Sequence, residues 1–377
     1  MKICLLLPRL AGGGAERVAL HLANGFRDRG HEVELALFRA EGDYLDQVPA
    51  EVPITELGAD SVWGRAAAVA GHLRSARPDV MVAFMAHANI PAGLARAMIP
   101  KRVAPLVIGT EHGYWGRALE WKSGRPRHHL YNRTIRFAYR QLDGVIGVSD
   151  GIVERLTRMG MVNAGRVVAL PNPVEIPDAH HADHDPARHH PWPVTLLTVG
   201  RLHPTKDQAT ALQVVARLRH DLDLGLLVLG QGPEQDRLVE LARSLGIEHR
   251  VRFEGFVDPW PYYRAADAFL LTSVAEGQPL VLIEALAHGL PVVSTDCRTG
   301  PAEILAGGTF GRLAPVGDVE VLADSVVASL ADEDQDRERL RARAAEFSVD
   351  AVVDRYLEFV AGLQGSRGVM TRVESAP

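Results

Sequence analysis

Short apolar runs alternate with amphipathic segments along the whole chain. In the first half the runs are ICLLLP (3–8), EVELALF (32–38), PDVMVAF (78–84), APLVIGT (104–110) and GVIGVS (144–149). Each is nearly uninterrupted and too short for a helix, the pattern of strands buried on both faces. Between the first two, AERVALHLANGFRDRG (15–30) puts Val18, Leu22 and Phe26 on one helical face and stops at Gly30. The rhythm starts again with VTLLTVG (194–200), LGLLVLG (224–230), VRFEGF (251–256), AFLLTS (268–273) and PVVSTD (291–296), with helices over 207–220 and 233–246 in the gaps. Such alternation predicts parallel sheets joined by right-handed crossovers. The expected fold class is α/β, with two doubly wound, Rossmann-like halves. Two C-terminal helices, over 318–330 and 334–363, follow, and the tail after Gly365 reads as frayed.

Composition supports two domains. With 377 residues, 47% hydrophobic and 23% charged, the chain has globular values and exceeds one ordinary core. The halves are separated by PNPVEIPDAHHADHDPARHHPWP (171–193), rich in Pro, Asp and His and without apolar periodicity. Its histidines (180, 181, 184, 189, 190) match no zinc spacing, which favours a plain linker over a metal site. The expected organisation is an N-terminal Rossmann-like domain over 1–175, a linker over 176–193 and a C-terminal Rossmann-like domain over 194–346. A helix over 347–365 packing back toward the N-terminal domain and a flexible tail over 366–377 complete it.

No run approaches the ~20 apolar residues of a membrane span. The apolar run 3–7 is stopped by Pro8 and Arg9, too short for a signal peptide. Cys4 and Cys297 lie in apparent strands without metal-ligand spacing, implying a reducing, cytoplasmic setting and no disulfide framework. Charge divides unevenly: residues 1–175 carry +5 and the remainder −11, within the overall −6. The first half is therefore suited to an anionic partner.

In open α/β sheets ligands bind beyond the carboxyl ends of the strands, so the residues just after each strand are the candidates for chemistry. After the first strand, LAGGGAER (10–17) sets three glycines before a helix, where backbone can approach a phosphate at the helix N-terminus. It has neither GxGxxG nor P-loop spacing. After the first strand of the second half, GRLHPTKD (200–207) supplies Arg201 and Lys206. Loop cations are ordinarily solvated, but these share the ligand edge with a glycine and can clamp a diphosphate. In EGQPLVLIEALAHGLPVV (276–293), Glu276 falls in the loop and Glu284 in the helix beginning at Pro279. Glu276 could be a capping acid and Glu284 a solvated one. An acid interrupting VLIEALA is better explained as an acceptor for ligand hydroxyls.

Taken together, GRLHPTKD, FEGF, EGQPLVLIEALAHGLPVVSTDCRTGPAEIL and the N-terminal GGGAERVALHLANGFRDRGHEV resemble the retaining, nucleotide-sugar-dependent glycosyltransferases of the GT4 family. That family has the GT-B fold, two Rossmann-like domains facing a central cleft, and Glu276 and Glu284 match its E-x7-E motif. The resemblance implies transfer of a hexosyl or N-acetylhexosaminyl group from a UDP- or GDP-linked sugar. The acceptor would be a glycan or polyprenyl- or other lipid-linked glycan, in cell-surface polysaccharide or glycolipid biosynthesis. By position it implies Gly13 and Gly14 beside the donor phosphates and sugar, and Arg201 and Lys206 on the diphosphate. Glu276 would bind the donor-sugar hydroxyls and Glu284 the ribose. The Gly255-Phe256-Val257 backbone would meet the base edge, and the Leu280 and Val281 amides the phosphates. His112, in GTEHGYW (109–115), matches a histidine near the anomeric carbon, although Glu111 departs from the commonest His-Asp pairing. The implied catalytic set is Glu276, His112, Arg201 and Lys206.

The resemblance favours front-side attack over a double displacement, for which no nucleophilic carboxylate stands out. Asp183-His184-Asp185 and Asp221-Leu222-Asp223 match the Asp-x-Asp of metal-dependent transferases only by chance placement, so no obligatory metal or cofactor is expected. GRALEWKSGRPRHHLYNRTIRFAYRQ (116–141) carries seven Lys/Arg and interleaved aromatics. With Trp115 included, 115–141 reads as a peripheral docking surface for an anionic membrane, the inner face of the cell membrane, or else as a solvated helix. No nucleic-acid module is recognisable. Two rivals remain: a dinucleotide-dependent oxidoreductase, suggested by the glycine loop although Phe38-Arg39 stands where a ribose-binding acid belongs, and a non-catalytic nucleotide-sugar-binding protein.

Overall fold

The structure, a computed structural model, describes residues 1–11, 13–100, 104–113, 126–176, 192–332 and 336–374, with side chains given for all except 126–130, 164 and 367–374. The chain forms two compact units, Met1–Pro173 with Val349–Pro377, and Val174–Ser348.

In the first unit the order is β1 (Lys2–Leu7), α1 (Gly14–Asp28), β2 (Glu32–Leu37), β3 (Ile54–Glu56), α2 (Val62–Ala76), β4 (Val80–Phe84), α3 (Ala86–Ala97), β5 (Leu106–Glu111), α4 (Pro126–Gln141), β6 (Gly144–Gly147), α5 (Asp150–Arg158) and β7 (Val167–Ala169). The strands form one sheet, β3-β2-β1-β4-β5-β6-β7, parallel throughout. From Ile3 to Leu7 every residue of β1 is buried, as a strand covered on both faces requires.

The second unit repeats the scheme with β8 (Val194–Val199), α6 (Gln208–Leu218), β9 (Leu224–Leu229), α7 (Gln235–Ser244), β10 (Val251–Gly255), α8 (Trp260–Ala265), β11 (Ala268–Leu271), α9 (Leu280–Ala287), β12 (Val292–Thr295), α10 (Pro301–Ile304), β13 (Arg312–Ala314), α11 (Val319–Leu330) and α12 (Arg337–Ala345). Its parallel sheet runs β10-β9-β8-β11-β12-β13. In both sheets the first strand of the unit sits centrally and the strand order reverses beside it, between β1 and β4 and between β8 and β11. That reversal opens a crevice beyond the strand ends.

The structure differs from the sequence expectation in three places. The three-residue edge strands β3, β7 and β13 were not anticipated, since so short a segment carries no readable period. The helix expected over 334–363 is two helices, α12 and then α13 (Val349–Glu374). Between them the Phe347 carbonyl accepts from the Val174 amide at 2.9 Å, and Val174 and Ser348 pair as a parallel bridge. The interruption therefore falls where the chain leaves the second unit for the first. Finally, α13 continues to Glu374, so most of the tail expected to be flexible from 366 is helical. Of the expected linker, 177–191 lie outside the described residues, while Trp192 is seated on β9. A Cβ on Gly225 would fall 2.0 Å from its indole.

What holds α13 on the first unit is apolar packing. Val349 and Val353 sit against Gly25 of α1, and Phe26 meets Tyr356 edge-on at 6.3 Å. Arg29 also pairs with Asp354 at 2.5 Å and Asp350 at 3.2 Å, but these aspartates are 61% and 87% exposed. Exposed pairs contribute about 0–1 kcal/mol each, less than burying one aliphatic side chain. Among the described residues no helix is long and apolar enough to cross a membrane.

Candidate active site

The strand reversal of the second sheet places two connections side by side: the β8–α6 segment with Arg201 and Lys206, and the β11–α9 segment with Glu276. They are tied together by backbone, with the Thr272 hydroxyl donating to the Asp207 carbonyl at 2.8 Å and the Val274 amide to the Thr205 carbonyl at 2.9 Å. Within this frame the Lys206 ammonium donates to Glu276 Oε1 at 2.6 Å, and Ser273 Oγ donates to the same oxygen at 2.6 Å. The Thr299 hydroxyl donates to the Glu276 carbonyl. Gly300, at φ +91°, lets the loop after β12 lie on the Gly277–Pro279 stretch, where a Cβ would meet the Gly277 carbonyl at 2.9 Å.

Glu276 is only 9% exposed. Burying a carboxylate costs several kcal/mol unless it is paired and hydrogen-bonded, and here it is both. Lys206 spends one of three N–H donors on it and keeps capacity for an anion. Arg201 is exposed and has no side-chain hydrogen bond or ion pair among the described residues. Nearby Cys297 is a protonated thiol: burial, reinforced by the Glu276 charge, pushes its pKa to about 12.

Glu284, on α9, is 5% exposed, and its Oε2 accepts from the Tyr263 hydroxyl at 2.8 Å. Tyr263 in turn stacks on His288 at 5.1 Å, whose pKa burial lowers. A carboxylate has about four acceptor sites, so the Tyr263 bond leaves capacity for ligand hydroxyls. Leu280 and Val281 are the first two residues of α9, with amides that have no intrahelical partner and carry the helix's partial positive charge. Gly255, Phe256 and Val257 follow β10, two strands from β8, about 10 Å along the sheet. The Gly255 carbonyl is taken by the Gly230 amide at 2.6 Å, and the Phe256 side chain is 64% exposed.

In the first unit, His112 follows β5 and stacks on Phe84 at 5.5 Å. Its Nε2 lies 2.8 Å from Thr110 Oγ1, which is also 3.0 Å from the Ala83 carbonyl. Nδ1 is buried. Burial lowers the His112 pKa from 6.5 to about 4, against a smaller opposing effect of Asn172, so the ring is neutral at physiological pH. Beside it Glu111, 1% exposed, accepts from Asn89 Nδ2 at 2.7 Å and from the Tyr139 hydroxyl. At the start of α1, Gly13 is the N-cap, and the Glu16 carboxylate folds over it, 2.5 Å from where a Gly13 Cβ would stand. A negative side chain thus already lies at the helix end where Gly13 and Gly14 were expected to meet phosphate.

Sequence reasoning missed Ser273, Thr299, Tyr263, Asn89 and Tyr139. Only Ser273 and Thr299 carried a signal, as hydroxyls close after strands on the ligand edge. Asp221 and Asp223 pair with Arg217 at 3.2 Å and Arg250 at 2.9 Å, before β9 and away from the strand ends. Asp183 and Asp185, the five linker histidines and all of 115–125 lie outside the described residues. On α4, Tyr131, Arg133, Arg136, Phe137 and Arg140 are exposed while Ile135, Ala138 and Tyr139 are buried.

Two Rossmann-like parallel-sheet units, one presenting an acid–lysine pair at its strand reversal, are the architecture of the GT-B fold. Comparison with known proteins places it further. The family profile "Glycosyltransferase Family 4" matches residues 12–176, and "Glycosyl transferases group 1" matches 183–347. Among curated proteins, the chain is 28% identical to the lipopolysaccharide core biosynthesis glycosyltransferase LpsE of Rhizobium meliloti, over 93% of this chain and 96% of that protein. It is 26% identical to a Campylobacter jejuni α-1,4-N-acetyl-D-galactosaminyltransferase named for a diphospho-undecaprenol-linked acceptor, over 97% and 100% respectively. Among solved structures, a glycosyltransferase from Rickettsia africae superimposes with a TM-score of 0.79 at 17% identity, over 96% of this chain and 98% of that one. The chain belongs to the GT4-type retaining glycosyltransferases. Family membership sets aside the oxidoreductase reading.

Proposed function

We propose that this enzyme transfers a hexosyl or N-acetylhexosaminyl group from a UDP- or GDP-linked sugar to a glycan or lipid-linked acceptor, in cell-surface polysaccharide or glycolipid biosynthesis. The observation that carries the reading is the Lys206–Glu276 pair at the strand reversal, with Arg201 in the same β8–α6 segment and exposed. Lys206, Arg201 and the Leu280 and Val281 amides suit a diphosphate, and Glu276 suits sugar hydroxyls. The roughly 10 Å from β8 to β10 suits a nucleotide lying with its base at Gly255-Phe256-Val257 and its ribose toward Glu284. Gly13, Gly14 and His112 follow strand ends of the first unit, where the family resemblance implies groups that meet the sugar. The acceptor class is supported by the curated relatives, one named for lipopolysaccharide core synthesis and one for an undecaprenol-linked glycan.

Retention then follows from front-side attack. The bond from anomeric carbon to diphosphate breaks as the acceptor oxygen bonds to the same face. The acceptor's proton passes to the departing phosphate oxygen, whose charge Lys206, Arg201 and the α9 amides stabilise. With cations and helix dipole in that role, no metal or other cofactor is required. A thermal-shift panel of UDP-, GDP- and ADP-sugars with NAD(P) tests the reading. At least one sugar nucleotide is expected to stabilise the protein, and Lys206→Met to weaken its binding at least ~10-fold. Stabilisation by NAD(P) alone overturns it.

The exposed face of α4 extends the reading to location. Three arginines and two aromatics there suit peripheral docking on an anionic membrane surface. Cosedimentation with anionic vesicles is expected at low salt and to fall several-fold at high salt. Equal binding to neutral vesicles contradicts this.

A further inference from the structure

We propose that Cys4, Glu34 and His72 form a zinc-binding site in the first unit. The sequence separates them widely, and neither cysteine has metal-ligand spacing along the chain. The fold brings them together. Cys4 and Glu34 are register partners on neighbouring strands β1 and β2, so they project from the same sheet face. Helix α2 crosses that face and places His72 over them. His72 Nε2 lies 3.0 Å from Glu34 Oε1 and 3.8 Å from Cys4 Sγ, and all three ligand atoms fall within 4.8 Å of one another.

These separations suit one tetrahedral ion. Zinc bonds of ~2.3 Å to sulfur and ~2.0–2.1 Å to nitrogen or oxygen set neighbouring ligand atoms roughly 3.4–3.6 Å apart. For the His72–Glu34 and His72–Cys4 pairs, shifts of about a few tenths of an ångström achieve that. The donor set also selects the ion: one thiolate, one imidazole and one carboxylate suit borderline-soft zinc better than magnesium or calcium. Charge agrees, since thiolate and carboxylate together neutralise a divalent cation in an otherwise apolar layer. The three residues are 0%, 7% and 9% exposed, among buried Leu6, Ala36, Val69, Leu73 and Met81.

A supporting contact orients the carboxylate. Lys2 Nζ donates to the Ala76 carbonyl at 2.9 Å and lies 4.0 Å from Glu34 Oε2, holding that oxygen outward and leaving Oε1 for the centre. A surface depression of about 350 Å³ at the same edge of the sheet is lined by Lys2, Arg27, His31, Glu34 and Glu51. Three protein ligands leave a fourth position for water. The alternative is a hydrogen-bonded triad with no affinity for metal, and spectroscopy separates the two.

The full-length protein, stripped with a chelator, is titrated with Co²⁺ and then Zn²⁺. Expected are one Co²⁺ per chain, a near-ultraviolet thiolate-to-cobalt charge-transfer band with tetrahedral visible absorption, and displacement by one Zn²⁺. Only two cysteines exist, so a band that persists in Cys297→Ser assigns the ligand to Cys4. Loss of the band in Cys4→Ser, and at least ~10-fold weaker Zn²⁺ binding in His72→Gln, complete the set. A wild-type protein without the thiolate band overturns the proposal, even if the linker histidines bind cobalt, because imidazole alone produces no such band. A band that vanishes in Cys297→Ser or survives in Cys4→Ser overturns it equally.

Discussion

Replacing Glu276 with glutamine is expected to lower kcat/KM by about 10²–10³-fold, the scale for losing one preorganised charged contact at a reacting centre. Glutamine keeps the size of the side chain and can still accept from Ser273, so the loop retains its packing. What it lacks is charge. Hydrogen bonds from sugar hydroxyls to an ionised carboxylate are roughly twice as strong as those to a neutral amide. Lys206, 2.6 Å away, also loses its ion partner and is free to reorient. Steady-state rates with the donor identified by thermal shift are the measurement, with the unfolding midpoint as control for folding. Unchanged turnover in a folded Glu276→Gln protein removes Glu276 from the reaction.

The largest stability effect is expected from Gly230→Ala. Gly230 follows β9 at φ +127°, where a Cβ would stand 2.1 Å from the Gly200 carbonyl oxygen and 2.8 Å from its carbon. No side chain can move aside, because the obstacle is backbone. Conformational strain of about 1–3 kcal/mol and overpacking of about 1–3 kcal/mol act together, giving a loss of about 2–6 kcal/mol. For a unit of this size that corresponds to a fall of roughly 5–20 °C in Tm. Gly200 leads directly into Arg201, so donor binding is expected to weaken in whatever fraction remains folded. Urea unfolding of the variant checks the figure, and a change under about 0.5 kcal/mol refutes the steric argument.

Most strands were legible because burial on both faces writes them as uninterrupted apolar runs. The run read at 3–8 is the strand Lys2–Leu7, and the one at 194–200 is Val194–Val199. The break between α12 and α13 was not legible. Both helices have helical composition, and what ends the first is the chain passing between units. In the candidate site, Glu276, Glu284, Arg201 and Lys206 were found by position relative to strand ends. Their partners were not. Ser273 is three residues from Glu276, whereas Lys206 is seventy away and Tyr263 comes from a six-residue helix with no marking pattern.

The sequence alone thus determined two parallel α/β units, the strand ends that carry polar residues and the family to which those motifs point. These depend on local periodicity and on short motifs, both of which survive reading in one dimension. Only the tertiary structure decided that Lys206 neutralises a buried Glu276, that Tyr263 holds Glu284, and that His112 stacks on Phe84. It alone gathered Cys4, Glu34 and His72 around one point. Each of these depends on which strands become neighbours and which helix crosses them, a long-range outcome of packing that spacing along the chain does not encode.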